Sequence, residues 1–259
     1  MKPARPTALI SGASKGLGLE FAWLFAAEGY NLVLVARTEA LLLEISTSIT
    51  RQFGVTVRIF AFDLSLPESV EHIAKELEIM DIHIDVLVNN AGFAQWGPYY
   101  ETDAEVEEKM IQLNILALTR LTKKILPGMV SRKSGKILNL GSVAAFQPGP
   151  YMAVYFATKA FVLSFSEALS AELSGSGITV SCLCPGPVQT EFVATAGLEN
   201  NRIFKKSNLA DARKIARFGF KSLMNGRVVA IPGWRHNLSV FAIRFVPRFL
   251  VRAVLKQIQ

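Results

Sequence analysis

The feature that most limits how this chain can fold is an alternation of short, unbroken apolar runs with longer helix-like segments, sustained almost from end to end. The runs Thr7–Ser11, Asn31–Ala36, Val55–Asp63, Asp85–Asn89, Gly135–Leu140, Ile178–Leu183 and Arg227–Ile231 read as strands. They are rich in Val, Ile and Leu, and several lack polar alternation, as expected of strands covered on both faces of a parallel sheet. Between them Leu17–Glu28, Glu39–Phe53, Glu68–Leu77, Glu105–Met129 and Val154–Ser174 read as helices. Alternation of this kind, with right-handed crossovers, predicts an α/β fold: one doubly wound domain around a mainly parallel seven-stranded sheet. A length of 259 residues suits one such domain.

Composition narrows the class. Hydrophobic residues make up 51% and charged residues 19%, which argues for a packed globular chain and against disorder. No run approaches about 20 consecutive apolar residues, so no spanning helix is expected. The opening MKPARP leads straight into the first strand without an apolar leader or cleavage site. Cys182 and Cys184 are the only cysteines and fall on one face of a strand, which reads as free thiols in a reducing compartment. A cytoplasmic location follows as the expectation. His72, His83 and His236 have no metal-ligand spacing, and no metal site is expected. No nucleic-acid-binding module is recognisable.

The segment Ser11–Gly12–Ala13–Ser14–Lys15–Gly16–Leu17–Gly18 joins the first strand to the first helix. Glycines there let the backbone turn tightly and approach a pyrophosphate, which the free N–H groups and positive end of the helix then hold. That placement makes the domain Rossmann-type. The second strand ends in Ala36–Arg37, where an acidic side chain would bind the ribose hydroxyls of NAD. Ala36 cannot do so, and the planar cation of Arg37 suits a 2′-phosphate, with Lys15 as a second positive contact. NADP(H) is the expected cofactor.

These residues, with others downstream in the same order, resemble the classical short-chain dehydrogenase/reductase family along nearly the whole chain. Its TGxxxGxG loop corresponds to Ser11–Gly18, with Ser in place of Thr; Gly12, Ser14, Lys15, Gly16, Leu17 and Gly18 are expected at the cofactor. The resemblance implies adenine contacts from Asp63 and Leu64, and an adenosine-side wall from Asn89–Asn90–Ala91–Gly92. It places Pro185, Gly186, Val188 and Thr190 around the nicotinamide, and Asn114, Ser142, Tyr155 and Lys159 at the catalytic centre. A homodimer or homotetramer is the family's habit.

The chemistry explains the residue types. Reducing a carbonyl puts hydride on carbon while oxygen gains a proton, so a donor near that oxygen is required. Lys159 lies one helical turn from Tyr155, and its charge, with that of the bound cofactor added, is expected to lower the tyrosine pKa. Ser142 would orient the substrate oxygen and stabilise developing charge. By resemblance, Asn114 would hold a water on a proton relay to Lys159, which would also bond the nicotinamide ribose. Phe93, Gln95 and Trp96, then Ala144, Phe146 and Met152, then Phe192 are expected to line an apolar pocket for a ketone, steroid or 3-oxoacyl thioester. Residues from about 191 to 225 are expected to form a lid on a catalytic domain of residues 1–237.

Charge is unevenly spread. Residues 1–196 carry 15 Lys/Arg and 19 Asp/Glu, whereas residues 197–259 carry 13 and 2. In the tail, residues 238–259, Arg244, Arg248, Arg252 and Lys256 recur in steps of four beside Leu250, Val251, Val254, Leu255 and Ile258. Three readings stand open: a helix on an anionic membrane surface, a helix docked on its own core or an oligomer contact, and a basic surface that attracts an acidic carrier or coenzyme thioester. The function expected is an NADP(H)-dependent carbonyl reductase or alcohol dehydrogenase. The alternatives are a catalytically silent NADP(H) sensor on the same fold, against which the intact Ser–Tyr–Lys set argues, and a nucleotide-sugar epimerase, for which the chain leaves little room.

Overall fold

A computed structural model describes residues 5–192, 196–197 and 209–258. Seven parallel strands form one sheet in the order β3-β2-β1-β4-β5-β6-β7. The strands are β1 Thr7–Ser11, β2 Asn31–Ala36, β3 Val57–Ala61, β4 Val86–Asn89, β5 Gly135–Leu140, β6 Ile178–Leu183 and β7 Val229–Ala230. The first and last elements of the expected set are in place, but β3 and β7 are shorter than their apolar runs. Both are edge strands with a single partner, and each stops where that partner ends, β3 at Ala36 of β2 and β7 at Leu183 of β6.

The helices are α1 Gly16–Ala27, α2 Glu39–Phe53, α3 Ser69–Ile79, α4 Ala104–Ile111, α5 Leu118–Arg132, α6 Ala153–Glu172, α7 Ala212–Met224, α8 Trp234–Ile243 and α9 Arg248–Ile258. They cover both faces, which explains the unbroken apolar strands: β1 and β2 bury nearly every residue they contain. On one face Phe21 and Phe25 of α1 pack with Leu42 and Ile49 of α2 and with Ile215 and Leu223 of α7. On the other, Val70, Ile73 and Leu77 of α3 join Leu121 and Met129 of α5.

Two expectations change here. The single helix expected over Glu105–Met129 is α4 and α5 joined through a π-helical stretch, Gln112–Ala117. And α7 is no part of a lid: Ile215, Ala216 and Leu223 lie in the core, and Gly219 meets Phe21 and Leu183 closely. A helix buried on one face in this way is part of the domain's body and not of the lid expected over residues 191–225. Of these, 193–195 and 198–208 lie outside the described residues.

The sheet order reverses between β1 and β4. Chain leaving β1 turns toward β2, and chain leaving β4 turns toward β5, so a crevice opens at the carboxyl ends of these two strands. The glycine loop and Asn89–Gly92 both begin there.

Candidate active site

Ser11 stitches the two walls of the crevice together. Its Oγ donates to the carbonyl of Val88 at 3.3 Å and accepts from the backbone N–H groups of Asn90 at 3.0 Å and Ala91 at 3.1 Å. The Asn90 side chain returns two bonds through Nδ2, to Ser11 O at 2.9 Å and Gly12 O at 3.2 Å. A hydroxyl is what this position needs, and serine supplies it as threonine would. Gly12 and Gly16 adopt φ of +66° and +54°, the left-handed region that side chains with a Cβ avoid. A Cβ on Gly18 would sit 2.1 Å from Gly12 O, so only glycine lets the first turn of α1 rest on the loop. Those glycines leave a shallow cradle at a helix start whose first-turn N–H groups lack helical partners.

That cradle fits a dinucleotide phosphate. Arg37 is exposed directly beyond β2, with Ala36 where an acid would select a free ribose. Asp63 follows β3 with its Oδ1 accepting from Ser65 N at 2.9 Å and Oγ at 2.8 Å, and Leu64 beside it is buried. Lys15 is engaged differently from the expectation. Its ammonium pairs with Glu191, next to Thr190, so the cation ties the glycine loop to the 185–190 loop. Thr190 reinforces that approach, its methyl lying 3.1 Å from where a Gly16 Cβ would be.

Ser142, Tyr155 and Lys159 come together beyond β5. Ser142 caps a one-turn 3₁₀ helix, Val143–Phe146, its Oγ accepting from Ala144 N at 3.1 Å. The same hydroxyl donates to Pro185 O at 3.4 Å, which fixes the 185–190 loop beside it, and it lies near enough to the Tyr155 phenol to act on its pKa. Tyr155 lies in the first turn of α6 and Lys159 one turn on; both are buried. The Lys159 Nζ donates to Leu140 O at 2.8 Å and sits 5.7 Å from the Tyr155 ring centre.

The protein's own groups do not lower the tyrosine pKa. Burial pushes the Tyr155 phenol up to about 12, only partly opposed by the nearby Ser142 hydroxyl. Burial also pushes Lys159 down to about 8. Desolvation is the largest influence on both groups, and with a pKa of about 8 Lys159 still carries its charge at neutral pH. The phenol is held in its proton-donating form. Beneath it Cys182 and Cys184 are fully buried free thiols with sulfurs 3.6 Å apart, as their shared strand face requires. A Cβ on Gly141 would lie 2.7 and 2.9 Å from these sulfurs, so the strand end before Ser142 must be glycine.

Asn114 owes its position to the π stretch, whose wider turn carries the residue into the crevice wall. It is buried; Oδ1 accepts from Phe93 N at 3.2 Å, and Nδ2 donates to Phe93 O at 3.0 Å and Thr158 Oγ1 at 3.1 Å. A Gly92 Cβ would fall 2.8 Å from its Oδ1 and 3.7 Å from the Lys159 ammonium, which shows how closely the three converge.

Apolar side chains gather around the phenol. Ala144, Met152 and Phe156 pack with Ala94 and Met110, and Phe93 and Phe192 lie against them. The Phe192 ring is 5.5 Å from the Tyr155 ring. Gln95 lines a small cavity with Met110, Met152 and Tyr155, and its Oε1 is buried with no hydrogen-bond partner among the described residues. Trp96 stands at the rim, its ring 5.8 Å from that of Tyr151. Phe146 does not belong to this pocket. In a 3₁₀ turn residues three apart eclipse, so Phe146 follows Val143 onto the opposite face, with Leu118, Val162 and Val240. There it lines a separate cavity of about 230 Å³ with Pro148 and Val251. Met110, missed in the sequence, lies one turn before Asn114 on the same helix, and that spacing was the signal available. Among the described residues no cluster of side chains could hold a metal ion.

A family profile for short chain dehydrogenases matches residues 6–201. The chain belongs to the short-chain dehydrogenase family. It is 35% identical to the very-long-chain 3-oxoacyl-CoA reductase of Pyrenophora tritici-repentis, over 96% of this chain and 73% of that protein. The enzyme of the same name from Rattus norvegicus is 36% identical over 71% of this chain and 60% of its own. Among solved structures, a short-chain dehydrogenase from Sphingobium yanoikuyae in complex with NADPH superimposes with TM-score 0.85 at 34% identity, covering 98% of this chain and 96% of that one. The L-sorbose reductase of Gluconobacter frateurii, complexed with NADPH and L-sorbose, gives 0.76 at 29%, covering 88% and 95%. This short-chain dehydrogenase is an NADP(H)-dependent oxidoreductase acting on C=O and CH–OH groups.

Proposed function

We propose that this short-chain dehydrogenase reduces the 3-oxo group of a lipophilic acyl thioester, with Tyr155 as its proton donor. The observation that carries the reading is the Tyr155 phenol, buried against an apolar pocket with Ser142 near it and Lys159 one helical turn on. The chemistry that bound NADPH supplies is the hydride. Gly12, Gly16 and Gly18 would hold its phosphates, Arg37 the 2′-phosphate, and Val188 and Thr190 the nicotinamide end. Charge left on the carbonyl oxygen must be neutralised, and a phenol kept protonated by burial is the donor at hand. Ser142 hydrogen-bonds the same oxygen, and Lys159 offers a cation to the phenolate that remains. Asn114 is a positioning residue: through Phe93 and Thr158 it fixes the wall on which Lys159 lies.

Three observations support the acyl thioester over a sugar. Met110, Met152, Phe156 and Phe192 offer few hydrogen-bonding groups to a polyol. Relatives that match 96% of the chain are named for 3-oxoacyl-CoA reduction. The excess of Lys and Arg after residue 196 suits the phosphates of a coenzyme thioester. Steady-state NADPH oxidation across 3-oxoacyl-CoA chain lengths, simple ketones and L-sorbose tests this. Rising kcat/KM with chain length is expected; preferred turnover of L-sorbose overturns it.

A further inference from the structure

The two C-terminal helices are docked on the domain, yet they leave a large apolar face uncovered. Val240 of α8 packs in a core cluster with Val162 and Ile231, and Val251 and Leu255 of α9 are buried, Val251 across a cavity from Phe146 and Pro148. On the outside Trp234, Leu238 and Phe241 recur at steps of four and three along one face of α8, Phe245 follows in the turn and Phe249 on α9. They are 71%, 58%, 57%, 74% and 61% exposed. Phe241 and Phe245 touch edge to face with ring centres 5.1 Å apart, so the aromatic surface runs on past the end of α8. A water-facing helix pair has no use for a row of this kind, and single scattered exposures do not explain it.

Charge identifies what covers it. From Ala212 to the C terminus the chain carries ten Lys/Arg and no Asp or Glu. Arg235, Arg244, Arg248 and Arg252 are all exposed on the helices that carry this apolar face. A two-fold contact with a second copy would lay this all-cationic surface on itself, with like charges opposed at every flank. An anionic lipid surface complements both halves: phosphate headgroups for the arginines, and the acyl boundary for Trp, Phe and Leu. No helix among the described residues is long and apolar enough to cross a membrane, which leaves attachment from one side. We infer that the α8–α9 face docks the enzyme onto the surface of an anionic bilayer. The inference does not depend on the acyl substrate.

The test is co-sedimentation of the full chain with vesicles of phosphatidylcholine alone or mixed equally with phosphatidylglycerol. Binding several-fold stronger to the anionic vesicles, and weakened by salt, is expected. Two variants should remain in the supernatant: Phe241→Ser/Phe245→Ser/Phe249→Ser and Arg244→Glu/Arg248→Glu/Arg252→Glu. Both should keep the wild-type molar mass by light scattering and the wild-type turnover of a short, soluble ketone. Should the serine variant fail to fold, bromine-labelled lipid must quench the wild-type fluorescence in a way that Trp234→Phe abolishes. Equal failure of the wild type to bind either vesicle overturns the inference. So does a fall in molar mass in the folded serine variant, which would make the face a subunit contact.

Discussion

At the scale of single residues, the site is governed by desolvation. Lys159 titrates near 8 in the fold against 10.5 for an ordinary lysine, so between those values the unfolded chain binds the extra proton. Stability owed to this group therefore rises with pH across that window and is lowest below pH 8. Replacing it by Lys159→Met should raise stability at pH 7 by on the order of 2 kcal/mol, after allowing for the lost bond to Leu140 O. The gap should close toward pH 10 in denaturant titrations, while turnover is lost. The same titration predicts that reduction slows as pH rises through about 8, when the ammonium beneath the ring discharges. At the phosphate cradle, Arg37→Asp should exchange a preference for NADPH for one for NADH, measured as the ratio of kcat/KM values. Gly18→Ala should abolish binding of both, because its methyl would meet Gly12 O.

Among the elements, the junction of α1 with α7 shows what holds the sheet's outer layer. Gly219 lets α7 close on Phe21 and Leu183; Gly219→Val should cost about 1–3 kcal/mol by overpacking, read from the denaturant midpoint. The elements also show where sequence is legible. Buried central strands were readable because covering both faces demands unbroken Val, Ile and Leu, and the glycine loop was readable because its position fixes its purpose. The π stretch was not: Gln112–Ala117 has ordinary helical residues, and its extra residue per turn arises from packing Asn114 against Phe93 and Thr158. Phe146 was misplaced for a related reason, since a period of three and not of alternation decides its face. The upward push on the tyrosine pKa was not legible because charge pairing is visible in sequence, whereas burial of both partners is not.

For the whole molecule, one architecture assigns separate tasks to separate regions. The reversal of strand order at β1 and β4 makes the crevice, β5 and α6 bring Ser142, Tyr155 and Lys159 to its edge, and the basic C-terminal helices present an apolar face outward. A lipophilic substrate and a lipid-facing surface are consistent with each other, and the basic residues of the C-terminal region enter the argument for both. The central claim is that Tyr155 gives up the proton in carbonyl reduction. The most direct measurement is kcat/KM for a long-chain 3-oxoacyl-CoA with wild type and Tyr155→Phe, together with NADPH affinity for both. A loss of roughly 10²–10⁴-fold in turnover with NADPH affinity unchanged is the predicted result. Turnover within a few fold of wild type in the variant would contradict it.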